Sequence, residues 1–107
     1  MEQQLIIYAG ARKIRKNGKY YLITIKNETM RFLNNPKYVL VVLKYENKEI
    51  PIGVREIVKR RTTNSKGVFT IYTVSIPKYL TPYLKLNNLI DKKLDVILIP
   101  FDNLEVI

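Results

Sequence analysis

Two runs of basic residues carry the strongest chemical signal in this sequence. They are "ARKIRKNGK" at residues 11–19 and "VKRRTTNSKG" at residues 58–67, and no acidic residue occurs in residues 3–27 or 57–90. The whole chain has 19 Lys and Arg against 9 Asp and Glu, a formal net charge of +10. Clustered cations of this kind attract a polyanion, so nucleic acid is the partner that the charge predicts.

The two runs, together with the nearby Arg55, supply candidate contacts of two kinds. The side chains predicted to contact phosphates are Arg12, Lys13, Arg15, Lys16, Lys19, Arg55, Lys59, Arg60, Arg61 and Lys66. The side chains predicted to reach base edges are Asn17, Thr62, Thr63 and Asn64. Simple turn chemistry is an equally good interpretation of Asn17 and Asn64. A surface role, in which these cations only solvate strand edges, is the alternative for each run.

Catalytic and metal chemistry have little support in this composition. The chain has no His and no Cys, which removes the commonest general base and the commonest zinc ligands. Seven of the nine carboxylates fall singly in predicted turns and strands, without metal-ligand spacing or a nucleophile paired with a base. They are Glu46, Glu49, Glu56, Asp91, Asp95, Asp102 and Glu105. The sequence therefore predicts a protein that is not an enzyme, with no catalytic residues, no metal and no cofactor.

The stretch "VFTIYTVSIPKYLTPYLKL", residues 68–86, shows how the basic runs are held. Tyr72, Val74 and Ile76 alternate as in a half-buried strand, and Leu80 and Leu84 then follow at helical spacing. Proline at residue 77 cannot donate to a strand ladder but suits the first turn of a helix. These five apolar residues are predicted to lie in the core. The stretch therefore serves packing, and the residues that carry the function are expected in other parts of the chain.

Each half of the chain predicts the element order β-β-α-β-β. In the first half, strands at 5–16 and 19–26 flank a turn at Asn17-Gly18, a helix runs over 28–34 with Asn27 as its N-cap, and strands follow at 38–45 and 49–53. In the second half, strands at 57–62 and 68–76 precede a helix over 77–85, and strands at 94–101 and 104–107 complete it. Proline at residue 82 is expected to remove a hydrogen bond inside the second helix.

Internal repetition supports this division. Residues 21–33 align with 72–84 at a constant offset, which places Tyr21 over Tyr72, Ile23 over Val74 and Ile25 over Ile76. After a short insertion the register resumes, with Tyr45 over Phe101. Asn47 then aligns with Asn103, Glu49 with Glu105 and Ile50 with Val106. We therefore predict two related repeats, 1–53 and 54–107, which form one interlocked globular domain because either half alone would bury too little surface.

The element order, the basic first hairpin and "SIPKYLTPYLKL" (residues 75–86) together resemble the AbrB-like, swapped-hairpin family of transcriptional regulators. That resemblance implies a mainly β fold with short helices, in which tandem β-β-α-β-β repeats form a pseudo-dimeric swapped-hairpin β-barrel. It also implies a non-enzymatic protein that binds double-stranded DNA and regulates transcription, gripping DNA with two basic hairpins.

Other functions remain open at this point. RNA binding would use the same charge, and an antitoxin-type or other protein-interaction module would use the same fold. No apolar run approaches the roughly 20 residues that span a bilayer, so no membrane partner is predicted and a cytoplasmic location is expected. The expected state is a monomer with internal pseudo-two-fold symmetry, with a homodimer as the alternative.

Overall fold

The fold is known from a computed structural model, which describes residues 6–101 of the 107. It is mainly β, with a curled half-barrel sheet and short helices. Sheet one has the strand order β1-β8-β4-β5, formed by β1 (Ile7–Lys13), β8 (Lys93–Phe101), β4 (Tyr38–Tyr45) and β5 (Lys48–Glu56). Sheet two has the order β2-β3-β7-β6, formed by β2 (Arg15–Asn17), β3 (Tyr20–Ile25), β7 (Gly67–Ile76) and β6 (Val58–Asn64).

The core lies between the two sheets and is closed by the short helices. Val39, Val41 and Leu43 of β4 are fully buried, as the alternation in that strand requires. Other buried members come from sheet two and from the helices: Ile23, Ile25, Val74, Ile76, Met30, Leu33 and Leu84. The core positions predicted from the strand-proline-helix stretch are confirmed, since three are buried and Tyr72 and Leu80 pack against them in part.

The two sheets are connected by strands that cross from one to the other. The single strand predicted over 5–16 is wrong, because it is divided at Ile14 into β1 in sheet one and β2 in sheet two. Ile57 makes the same kind of junction between β5 and β6. Ile14 is buried, so the apolar side chain at the first junction anchors the crossing in the core.

Two strands contain a glycine at a register shift. Gly10 has φ +94° and lies where the pairing of β1 with β8 slips, between Tyr8 and Ala11. Gly53 has φ +102° and lies where the pairing of β4 with β5 slips, opposite Val41. Bulges at glycines of positive φ bend a strand and increase its twist. Each bend precedes one of the two crossings between sheets.

The first hairpin and helix begin one residue away from the predicted positions. The turn consists of Gly18 and Lys19, because Asn17 already pairs with Tyr20, and Gly18 has φ +63°. Helix α1 spans Asn27–Phe32, with Lys26 as its N-cap in extended geometry and no side-chain cap hydrogen bond. The prediction of Asn27 as N-cap is therefore wrong. The helix ends early because Asn34 and Asn35 adopt left-handed conformations.

The second helical segment differs from the continuous helix predicted over 77–85. A 3-10 turn spans Lys78–Leu80, and α2 then spans Thr81–Leu86. Pro82 thus lies in the first turn of α2, where a missing N–H costs no helical hydrogen bond. The strand predicted at 38–45 matches β4, whereas β5 runs past the predicted repeat boundary at 53. The strand predicted at 104–107 lies outside the described residues. No helix within residues 6–101 is long and apolar enough to cross a membrane.

Candidate nucleic-acid interface

Sheet two carries the basic residues on a surface that has no carboxylates of its own. Its strands and both connecting turns contain no Asp or Glu. Their cations are Arg15, Lys16, Lys19, Lys59, Arg60, Arg61 and Lys66. Several carboxylates lie elsewhere, as with Asp95 of β8, which accepts a 2.9 Å hydrogen bond from the Tyr8 hydroxyl. That hydrogen bond raises the pKa of Tyr8, as do lesser contributions from desolvation and from the negative charge of Asp95.

The outward face of sheet two is built on four residues of its central strands. Leu22 lies opposite Ser75, and Thr24 lies opposite Thr73. These residues alternate with Ile23 and Val74, which belong to the core. Thr73 and Leu22 are nevertheless almost completely buried, at 2% and 7% exposure. Side chains from neighbouring strands must therefore cover this face.

Three arginine side chains are fixed there by hydrogen bonds. Arg12 Nη2 donates to Thr24 Oγ1, and Arg55 Nη2 donates to Ser75 Oγ, both at 2.5 Å. Arg55 Nε also donates to the Ser75 carbonyl at 2.9 Å. Arg60 Nε donates to Thr73 Oγ1 at 3.2 Å. We call this surface the arginine face: Arg12, Arg15, Arg55 and Arg60 over Leu22, Thr24, Thr73 and Ser75.

Arg15 joins this set because it pairs with Leu22 across β2 and β3, and paired residues share a face. Hydroxyl acceptors hold the guanidinium groups without neutralising them, so their charge stays available to an anion. Each anchored guanidinium also keeps further N–H donors, in a planar arrangement that suits phosphate. The arginine face therefore presents preorganised, unneutralised donors of the kind that suits an anion.

The second hairpin extends beyond the rest of sheet two. Pairing of β3 with β7 ends at Ile25 and Tyr72, but β6 and β7 continue to pair from Arg60 and Ile71 out to Asn64 and Gly67. We call this two-stranded extension, residues 60–64 and 67–71, the ribbon. Every residue from 58 to 69 is exposed. The first hairpin has no such extension, because β2 contributes only three residues.

The predicted base contacts of the ribbon do not all lie on the same face. Arg60 and Thr62 share the outward face with Phe69, whereas Arg61 and Thr63 point to the other side. Asn64 Oδ1 accepts a 2.7 Å hydrogen bond from the backbone N–H of Lys66, so turn chemistry accounts for Asn64. Asn17 is the last residue of β2 and pairs with Tyr20 on the outward face.

The other predicted phosphate contacts lie around this surface rather than on it. Lys13 is at the end of β1, where it pairs with Lys93 in sheet one. Lys19 and Lys66 lie in the two hairpin turns. Lys16 and Lys59 lie opposite Tyr21 and Tyr72, on the side of their strands away from the arginine face. The structure thus assembles four of the predicted arginines and disperses the remaining cations.

A cleft at the base of the ribbon adds two cations that sequence reasoning missed. Four cationic side chains line it: Arg12, Arg15, Lys26 and Arg31. Its other walls are Thr24, Ile25, Asn27, Glu28, Phe69, Thr70 and Ile71, and its volume is about 540 Å³. We call it the ribbon cleft. Lys26 is the N-cap of α1, and Arg31 lies within that helix. The sequence around them has no pattern that marks either one as a binding residue.

A sequence signal for the equivalence of Arg12 and Arg55 does exist. "GARKIRK" at residues 10–16 repeats as "GVREIVK" at residues 53–59, with Gly, Arg, Ile and Lys at the same four positions. These positions are the two bulge glycines, the two hydroxyl-bound arginines, the two junction isoleucines and a lysine of each following strand. Corresponding residues of the two halves are 43 positions apart here but 51 positions apart in β3 and β7. The difference arises because the β6-β7 hairpin is longer than the β2-β3 hairpin.

No protein-family model matches this sequence, and neither the curated proteins nor the solved structures give a match. Within residues 6–101, no group of three or more acidic side chains could hold a metal ion.

Proposed function

We propose that this protein binds double-stranded DNA without catalysing a reaction on it, and that it acts as a regulator of transcription. The observation that carries the proposal is the arginine face, with three guanidinium groups anchored on hydroxyl acceptors in a sheet that contains no carboxylate. Affinity for a duplex comes largely from neutralised phosphates, and anchored arginines lose less side-chain entropy on binding.

The ribbon favours duplex DNA over duplex RNA. A two-stranded antiparallel ribbon fits the major groove of B-form DNA, about 12 Å wide, whereas the major groove of A-form RNA is too narrow for side chains to read. On the outward face, Thr62 can approach base edges from the ribbon while the arginine face rests on phosphates. The proposed grip thus uses one projecting hairpin and the arginine face, in place of the two basic hairpins predicted from sequence.

We infer in addition that the chain is a tandem of two swapped-hairpin units of the AbrB-like kind. Four observations support this. Ile23 pairs with Val74, its counterpart in the alignment. Tyr21 pairs with Ile76 and Ile25 pairs with Tyr72, so the pairs on either side of Ile23 are exchanged as a two-fold axis between equivalent strands requires. The bulge glycines, the hydroxyl-bound arginines and the sheet crossings also occur once in each half. In this arrangement β5 contributes to the second unit, so that unit begins before residue 54.

The test is a binding comparison with three probes of equal length: a random-sequence duplex, a single DNA strand and an RNA hairpin, measured by fluorescence anisotropy at one salt concentration. The duplex is expected to bind most tightly. Preference for the RNA hairpin would replace the proposal with RNA binding. Absence of binding to all three probes would favour a protein-interaction module.

A further inference from the structure

We infer that the ribbon cleft is a phosphodiester-binding site, with Lys26 and Arg31 as binding residues outside both basic hairpins. The inference deepens the proposed DNA binding and rests on it. In the bound duplex, the cleft would hold a backbone phosphate beside the groove that the ribbon enters.

Charge at the cleft is strongly unbalanced. The four cationic side chains that line it face one carboxylate, that of Glu28. Arg15, Lys26 and Arg31 are exposed, whereas Arg12 is half-buried and held by Thr24. The site thus has one fixed guanidinium and three exposed cationic side chains that can close on an anion. Arg is well suited to phosphate because its planar donors can bind two oxygens together.

Three of the four cationic positions of the cleft have no basic residue at the corresponding position of the second half. By the offset of 43, Arg12 corresponds to Arg55 and Arg15 to Val58; by the offset of 51, Lys26 corresponds to Pro77 and Arg31 to Pro82. Only the arginine that is bound to a hydroxyl occurs in both halves. The fold therefore forms in the second half without the other three cations, which argues that folding does not require them in the first.

Position also favours a backbone contact over a base contact. Phe69, Thr70 and Ile71 of the ribbon line the cleft together with Asn27, Glu28 and Arg31 of α1. An element that enters a groove has the duplex backbones along its flanks, so a cationic cleft beside the base of the ribbon lies where a phosphate passes. Such a contact adds affinity for every sequence equally.

The experiment compares three variants with wild-type protein by duplex affinity as a function of salt. The first is Lys26→Gln with Arg31→Gln. The second is a charge-matched control, Lys48→Gln with Lys92→Gln, which changes exposed residues connected to sheet one. The third is Glu28→Gln, which removes the only carboxylate that lines the cleft.

Loss of two phosphate contacts should reduce the steepness of log K against log salt by about 2, which corresponds to roughly 60-fold weaker binding at 0.1 M salt. The control should change affinity far less. Glu28→Gln should bind more tightly than wild type, a gain that a misfolded variant could not produce. Equal losses in the first two variants, or no gain in the third, would overturn the inference.

A second measurement keeps the cleft testable if wild-type protein fails to bind duplex. Inorganic phosphate is added to isotope-labelled protein at constant ionic strength, and amide chemical shifts are followed for residues 26–31 and 69–71. Saturable shifts that disappear in the Lys26→Gln, Arg31→Gln variant would support a phosphate site for a free ligand in place of DNA. Absence of saturable shifts together with absence of duplex binding would overturn both the inference and the proposed function.

Discussion

Ile23 of β3 lies directly opposite Val74 of β7, and both side chains are almost fully buried, at 0% and 1% exposure. The internal sequence alignment places these same two residues over one another. The strand that covers Ile23 on one side therefore comes from the other half of the chain. Stability of each half depends on this contact.

Residues 1–53 expressed alone should consequently be unfolded or dimeric. The fragment lacks β7 and β8, so Ile23 and Val41 would lose their paired neighbours and apolar surface would be exposed. Light scattering with size-exclusion chromatography measures the mass, and NMR dispersion reports folding. A monomer with a dispersed spectrum would contradict the interlocked arrangement.

Duplex binding by the whole protein should weaken steeply with salt. If roughly four to six phosphates are neutralised, log K against log salt should have a slope of about −4 to −5. Anisotropy titrations between 50 and 200 mM salt, roughly the range over which such losses are large, measure the slope. An affinity that stays flat over this range would argue for a protein partner.

The pair Arg12 and Arg15 should differ from the pair Arg60 and Arg61 in its effect on duplex binding. Arg12 and Arg15 both contribute to the arginine face, so Arg12→Gln with Arg15→Gln should lower the salt slope by up to about 2. Arg60 and Arg61 point to opposite sides of β6, so Arg60→Gln should lower it by about 1 and Arg61→Gln by less.

Thermal unfolding provides the control. Arg61→Gln is a surface change and should remain within about 0.5 kcal/mol. Substitution of Arg12 or Arg60 also removes a hydrogen bond to the buried Thr24 or Thr73, so it should cost about 1 kcal/mol or more. If Arg61→Gln weakened binding more than Arg60→Gln, the duplex would contact the inner side of the ribbon and the arginine face would not be the interface.

Helix α2 allows a matched test of packing. Leu84 is fully buried, whereas Leu86 is 84% exposed in the same helix. Leu84→Ala should lower the free energy of unfolding by about 2–5 kcal/mol through lost burial and a residual cavity. Leu86→Ala should change it by less than about 0.5 kcal/mol. Urea denaturation measures both, and similar values would contradict the described packing of α2.

Local patterns in the sequence were sufficient to predict most elements. A continuous apolar run marks β4 from Tyr38 to Tyr45, and alternating apolar residues mark the inner part of β7 through Tyr72, Val74 and Ile76. The apolar side chains that recur at helical spacing, Leu80 and Leu84, do pack on the core. These predictions succeed because burial on one face imposes a period that can be recognised without knowledge of the partner.

Features that depend on the partner strand could not be predicted in this way. The sequence predicts separate strands at 49–53 and 57–62 near the second junction, but it predicts neither the division at Ile14 nor the assignment of the strands at each junction to different sheets. The anchoring of Arg12 and Arg55 depends on Thr24 and Ser75, which are brought close only by the crossing of the strands. The ribbon cleft likewise combines α1 with β7, which are distant in sequence.

The absence of carboxylates from sheet two also affects folding. Bringing its cations together on one sheet creates mutual repulsion that opposes the compact state, and no opposite charge within the sheet relieves it. Added salt screens this repulsion and should make the free protein more resistant to heat. Ionic strength would then act in opposite directions on the molecule, favouring its folded state while releasing it from its polyanion.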